Sequence, residues 1–370
     1  VFISGYVWAR HYTNDWLWAD ELDKSGWSTG QIGQFLSYLP FTNETWIRAV
    51  EWLGNSQGDY WLKTNVNPYQ AKSDLDIAID KLIEHGRPHA AISCLDRMRH
   101  AKQPINADQC VRALLAALSS SEPSYSMDTY RVVELIKTLQ DSPEVALDDL
   151  FRVEWAYLLL LNRHRGAVPK LPENRLASDP EFFCEIIRLI YRSKKCDSTT
   201  NGPSEEAKAI ATNAWRLLHE WRTPPGMQED DSFSEAKFSS WLQRVKEICI
   251  ESGHLEVALI NIGEVLIHYP SDPNGLWINH TVANVLNAKD AEDMRHGFRT
   301  GIFNSRDVYW VDPAGKPERE LAEQYRQKAE DAENAGYQRL AVTLRGLADD
   351  YDREAKRIID EHKRDNFGSE

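Results

Sequence analysis

Apolar residues recur along this chain at three- and four-residue intervals, the spacing that gathers side chains on one face of an α-helix. From Ser204 the segment SEEAKAIATNAWRLLHEW aligns Ala207, Ile210, Ala211, Ala214, Leu217, Leu218 and Trp221 in one stripe. After Ser234 a second stripe runs through Phe238, Trp241, Leu242, Val245, Ile248 and Cys249, and the two helices are expected to pack as an antiparallel pair. Shorter stripes precede them: Leu75, Ala78, Ile79 and Leu82; Ala91, Ile92, Leu95 and Met98; Val111, Leu114, Leu115 and Leu118; Val132, Leu135, Ile136 and Leu139. Two start signals agree with this pattern, since Ser142 before Pro143 and Asp179 before Pro180 each offer a capping oxygen followed by a proline at the first helical position. Runs of β-branched residues are short, and no Asn-Gly or Asp-Gly turn separates alternating segments, so the pattern predicts an all-α fold.

One stretch is written more than once. EHGRPHAAISCLDRMRHAKQP, from Glu84, is echoed by ESGHLEVALINIGEVLIHYPSDP, from Glu251, and again by AGYQRLAVTLRGLADDY, from Ala335. Each copy sets a glycine five residues before an alanine: Gly86 and Ala91, Gly253 and Ala258, Gly336 and Ala341. That spacing predicts a helix, a tight glycine turn and a second helix whose alanine permits close approach. These residues resemble tetratricopeptide repeats, although the copies are not in tandem. The resemblance implies an irregular α-solenoid of stacked antiparallel helical hairpins, in the manner of TPR and HEAT arrays. Polar stretches at 119–126, 193–206 and 222–235 interrupt the helices as loops. The expected organisation is an aromatic-rich helical segment over 1–70, a helical repeat region over 71–203 and a second over 204–370. The last hairpin keeps a narrow apolar seam through Leu340, Leu344, Leu347, Tyr351, Ala355 and Ile358, as a capping end would, with a dimerisation coiled coil as the alternative.

Composition narrows the function classes. The chain has 370 residues, 42% hydrophobic and 27% charged, a globular balance. No apolar run approaches the roughly 18 to 20 residues that cross a bilayer, so no membrane partner is expected. A formal charge of −14 opposes binding to a phosphate backbone, so nucleic acid is disfavoured as a partner. Cys94, Cys110, Cys184, Cys196 and Cys249 are scattered and form no C-x-x-C pair, which points to free thiols in a reducing cytoplasm. The chain opens on VFISGYVWARHY without a methionine, as a piece of a longer polypeptide would.

Candidate chemistry concentrates at two places. Trp8, Trp16, Trp18, Trp27, Trp46, Trp52 and Trp61 crowd the first 61 residues, beside Tyr12, Tyr38, Tyr60 and Tyr69. Aromatic side chains either fill a core or anchor an interface. On the second reading Trp16, Trp18 and Trp61 line a partner groove, and Asn65 and Asn67 of DYWLKTNVNPY hydrogen-bond a peptide backbone; turn formation before Pro68 explains the asparagines equally well. In RHGFRTGIFNSRDVYWVDP, Arg295, Arg299 and Arg306 stand among Gly297, Gly301, Phe298, Phe303 and Trp310. They suit an anion or a partner carboxylate, or else pair with the surplus Asp and Glu of neighbouring helices.

Other motifs resolve to structure. Gly26, Gly30 and Gly33 lack dinucleotide-loop spacing and read as a turn into a helix capped by Ser28 or Thr29. His85 and His89 are four apart, but Gly86 and Pro88 between them break metal-ligand geometry. The run Glu229, Asp230, Asp231 reads as a solvated acidic loop. No nucleophile or metalloprotease motif is present. No cofactor, metal or enzymatic activity is therefore expected, the competing class being a helical hydrolase that uses carboxylates such as Glu181, Glu185 and Asp231.

A broader likeness rests on FLSYLPFTNETWIRAVEWLG from Phe35, YWLKTNVNPY from Tyr60, LASDPEFFCEIIRLIYR from Leu176 and the segment from Trp310 to Ile358. These resemble the C-terminal helical part of very large bacterial proteins, some with antitoxin-like names and none with a settled function. The resemblance implies a non-catalytic interaction or sensing module of a larger protein, with a protein or peptide partner or other domains of the same chain, linked to defence or toxin control.

Overall fold

The computed structural model of the chain describes residues 2–71, 73–124, 127–161, 163, 166–195, 204–228, 232–272, 275–306 and 312–367. Apart from isolated bridging, as between Met227 and Phe233, the regular structure of the described residues is helical, as the periodicity predicts. The chain divides once into compact units, Val1–Leu171 and Pro172–Glu370, so the expected boundaries after residues 70 and 203 fall inside units.

Unit 1 is built from α1 (Phe2–Glu21), α2 (Thr29–Leu36), α3 (Asn43–Leu53), α4 (Gly58–Trp61), α5 (Leu75–Glu84), α6 (Pro88–His100), α7 (Ala107–Ala117), α8 (Asp128–Gln140) and α9 (Leu147–Ala156). Helix α10 (Lys170–Ser178) spans the division. Ser28 starts α2 with a capping box, its side chain accepting from the Gln31 amide while Gln31 returns the bond to the Ser28 amide. Gly33 then lets α2 lie against α4, because a Cβ there would sit 2.5 Å from the Asp59 carbonyl. Phe41, Trp46, Tyr60 and Trp61 fill the space these short helices enclose.

The loop at 119–126 contributes a clip. The Glu122 carboxylate accepts from the backbone amides of His89 at 2.7 Å and Ala90 at 3.3 Å, at the positive end of α6. Arg87 pairs with Glu122 and donates to the carbonyls of Trp61 at 3.0 Å and Thr64 at 2.7 Å, so one ion pair ties three segments. Further on, the expected start at Ser142 and Pro143 is a turn, with Ser142 Oγ accepting from the Glu144 amide at 3.3 Å, and α9 begins later, at Leu147. Pro143 reads equally well as a turn residue, and Leu147 is the position from which Leu150 and Val153 face the core.

Unit 2 holds α11 (Pro180–Ile190), α12 (Glu205–Glu220), α13 (Glu235–Ser252), α14 (Leu255–Val265), α15 (His280–Asn287), α16 (Glu292–Asn304), α17 (Lys316–Asn334) and α18 (Gln338–Phe367). Asp179 caps α11 as expected, its Oδ1 accepting from the Phe182 amide at 3.0 Å. Helices α12 and α13 pack chiefly on α11 rather than on each other. Helix α11 is apolar enough to serve both, burying Phe182, Phe183, Cys184, Ile186 and Ile187.

The sequence echo has one structural meaning at all three places. Gly86, Gly253 and Gly336 adopt φ of 70°, 76° and 89°, the left-handed region in which glycine carries no Cβ penalty. In each turn an amide reaches back to the carbonyl five residues earlier: Arg87 to Leu82 at 2.8 Å, His254 to Cys249 at 2.9 Å, Tyr337 to Ala332 at 2.8 Å. Ala91, Ala258 and Ala341, at the shared spacing, are fully buried. In unit 2, Gly263 and Gly297 bring the backbones of α14 and α16 into close approach.

Candidate interaction surfaces

Helix α1 is broken at Asp15, whose φ of 54° and ψ of −153° are not helical. An unbroken helix would separate Tyr6 from Trp18 by about 18 Å. Their ring centroids are 6.4 Å apart, so the chain folds back at Asp15 into two short helical segments. The second segment is the base. Trp18 packs on Phe35 at 5.9 Å, and the Arg48 guanidinium lies 3.8 Å from the Trp16 ring centre while donating two 2.7 Å hydrogen bonds to Asp20. That bidentate pairing holds the Asp20 carboxyl below its usual range.

Among the described side chains of the first segment, Ile3 to Asn14, only Val7 is buried. Ile3, Tyr6, Trp8 and Tyr12 remain exposed, Tyr12 by 86%, and Leu17 beyond the break is exposed by 74%. Gly5 and Ala9 occupy another exposed side of the same turns. A helix with apolar residues on every side is ordinarily buried on every side. Here it is not, and its exposed aromatic residues are left without a partner surface in unit 1.

The residues expected to form a recognition groove are divided by the structure. Trp16 and Trp18 are half-buried against the unit 1 core, and Trp61 is a core residue, 1% exposed. Trp61 packs against Phe41, Trp46 and Tyr60, so it cannot present its ring to a partner, a correction to its place in the groove. Asn65 is exposed, whereas the Asn67 side chain accepts from the Tyr69 amide at 3.2 Å and shapes the turn around Pro68. Tyr6 and Ile3, which the sequence reading did not select, stand where the tryptophans were expected. The available signal was that the first segment has apolar residues on all sides instead of one stripe.

The arginines are largely committed to their own unit. Arg299 donates to Asp350 at 2.6 Å and to the Gly346 carbonyl at 3.0 Å. Arg306 donates at 2.9 Å to Glu318, whose side chain is fully buried, and lies over the Tyr351 ring. Arg295 closes the C-terminal end of α15 through the Leu286 and Ala288 carbonyls, both at 2.8 Å. Burial lowers the pKa of Arg295, and the neighbouring charge of Arg339 lowers it further. Arg295 and Arg299 share a cleft of about 750 Å³ with His296, Arg339 and Glu292, and Arg306 is not among its lining residues. The three arginines therefore do not make one contiguous basic face.

The carboxylates of the enzyme alternative are equally engaged or open. Glu181 accepts from Arg244 at 2.8 Å with both side chains about half exposed, and Glu185 is exposed. Asp231, with Glu229 and Asp230, lies outside the described residues, as do Cys196 and Trp310. His85 hydrogen-bonds the Lys81 carbonyl at 2.7 Å while His89 faces Asp128 at 3.2 Å, so the two imidazoles serve different neighbours. Among the described residues no group of three His, Cys, Asp or Glu is placed to hold a metal, and no helix is long and apolar enough to cross a membrane. No protein-family model, curated protein or solved structure matches the chain.

Proposed function

We propose that this chain is a non-catalytic protein-interaction module and that the first segment of α1 is the element that docks. The observation that carries this reading is the exposure of Ile3, Tyr6, Trp8 and Tyr12 on a helix segment that buries little of its apolar surface against its own unit. Such a segment buries its aromatic side chains when an apolar groove of a partner protein closes over it, and buried aromatics supply most of the energy at such contacts. The recurring glycine turns support an array of antiparallel helical hairpins as the scaffold behind it. The resemblance to helical parts of very large bacterial proteins supports a place within a larger bacterial polypeptide, with a link to defence or toxin control.

The test is a triple variant, Tyr6→Ser, Trp8→Ser and Tyr12→Ser, compared with wild type for thermal stability, oligomeric state and partner capture. Tyr12 is nearly free of the fold and Tyr6 and Trp8 are about half exposed, so the variant should stay folded with a loss of about 1–2 kcal/mol in all. A specific protein retained by wild type and lost by the variant supports the reading, and a dimer that becomes a monomer identifies the partner as a second copy. Equal capture and equal oligomeric state in both proteins overturn it.

A further inference from the structure

Acidic residues outnumber basic ones in this chain by 57 to 43, and its arginines in particular are mostly engaged by carboxylates. Lys328, on α17, is not. Its Nζ lies 4.6 Å from the ring centre of Tyr325 and 4.9 Å from that of Trp277, and no described carboxylate pairs with it. The Trp277 indole N–H donates to the Lys328 carbonyl at 3.3 Å, which fixes the ring beside the amine.

The amine borders a cavity of about 300 Å³. Its apolar wall is made by Leu266, Ile278, Phe298 and Ile302 with the Trp277 ring, and Ser305, His268 and the two tyrosines Tyr269 and Tyr325 add polar edges. Among the described residues no carboxylate lines it, on a chain with a formal charge of −14. The lining is mixed, at least as polar as apolar, and the volume stands at the small end of the range for ligand pockets.

We propose that this cavity binds a small organic monocarboxylate, with the carboxylate on the Lys328 ammonium and the hydrocarbon body against Trp277, Phe298 and Ile302. One ammonium matches one negative charge. A phosphate dianion would bring a second charge for which the described lining holds no further lysine or arginine. The two aromatic faces hold the ammonium in place before a ligand arrives, so little ordering is required on binding. Burial also lowers the pKa of Lys328, the expected state of a desolvated cation without a counter-ion. This site lies in unit 2 and stands independently of the docking role proposed for α1.

Titration calorimetry of the full chain with benzoate and hexanoate, beside the uncharged benzamide and hexanamide and inorganic phosphate, tests the proposal. Wild type should bind at least one of the acids about tenfold or more tightly than its amide. Lys328→Met and Lys328→Gln should remove that preference; two variants guard against one that misfolds, and each is checked by its melting curve. Acid and amide binding alike, a preference that survives in a folded Lys328 variant, phosphate binding more tightly than either acid, or no acid binding below about 10 mM each overturns it.

Discussion

Replacing Gly297 by alanine puts two physical effects in direct opposition. Helix propensity favours the change by about 1 kcal/mol, since Gly297 is interior to α16. Sterics oppose it, because an added Cβ would lie 1.9 Å from the Ile260 carbonyl oxygen and 2.7 Å from its carbon. The obstacle is backbone of α14 and cannot rotate aside. Restoring an ordinary contact near 3.4 Å requires α14 and α16 to separate by about 1.5 Å, enough to forfeit a quarter to a half of the dispersion energy of side chains across the seam. Those side chains include Leu259, Ile262, Met294 and Phe298, all buried. A fully buried side chain of this size makes about 5 kcal/mol of such contacts, so losing a quarter to a half of them at two side chains costs about 2.5–5 kcal/mol. Net of propensity, Gly297→Ala should destabilise unit 2 by about 1.5–4 kcal/mol. Gly5→Ala is the control, with nothing within 4 Å of the new Cβ, and should be neutral or slightly stabilising. Urea unfolding followed by circular dichroism measures both. A Gly297→Ala protein as stable as wild type would show that the helices do not meet at this distance.

Three further outcomes follow from buried polar and thiol groups. Glu122→Ala leaves the α6 amides and Arg87 without their acceptor and should cost about 2–4 kcal/mol in urea melts, whereas Glu122→Gln should recover part of it. Burial raises the Glu154 carboxyl above its usual 4.5 although Gln140 and the Leu171 amide donate to it. A folded-state pKa above the unfolded one gives stability that is fully present below the unfolded value and is lost as pH rises through the folded value. Stability should therefore decline across that window, and Glu154→Gln should flatten the decline in melting temperature against pH. Cys94, Cys110, Cys184 and Cys249 are buried, and burial pushes the Cys110 thiol up to about 12. Iodoacetamide at pH 8 should label these four slowly in the native protein and quickly in urea, as read by peptide mass.

What could be read from the residues divides along the same physical line. Helical stripes were legible because burying one face of a helix fixes a periodicity, and Leu75, Ile79, Val245 and Leu347 all lie where that periodicity put them. The glycine turns were legible because a left-handed residue between two stripes favours glycine. The fate of an aromatic residue is different, since Trp61 is core while Trp8 is partly exposed, and only the neighbours decide which is which. Phe41, from the loop before α3, and Trp46, from α3, meet Trp61 of α4, and no local spacing encodes that meeting. Likewise Lys328 is one of many lysines in a polar helix until α17 is set beside Trp277, which comes from the segment before α15. The arginines make the converse case. Arg295, Arg299 and Arg306 are near in sequence, yet Arg295 and Arg299 on α16 and Arg306 just beyond its end each reach a different acceptor, on α15, α18 and α17 respectively. Proximity in sequence predicted a shared site where the helix distributes the three charges, and distance in sequence concealed a shared site where two segments converge.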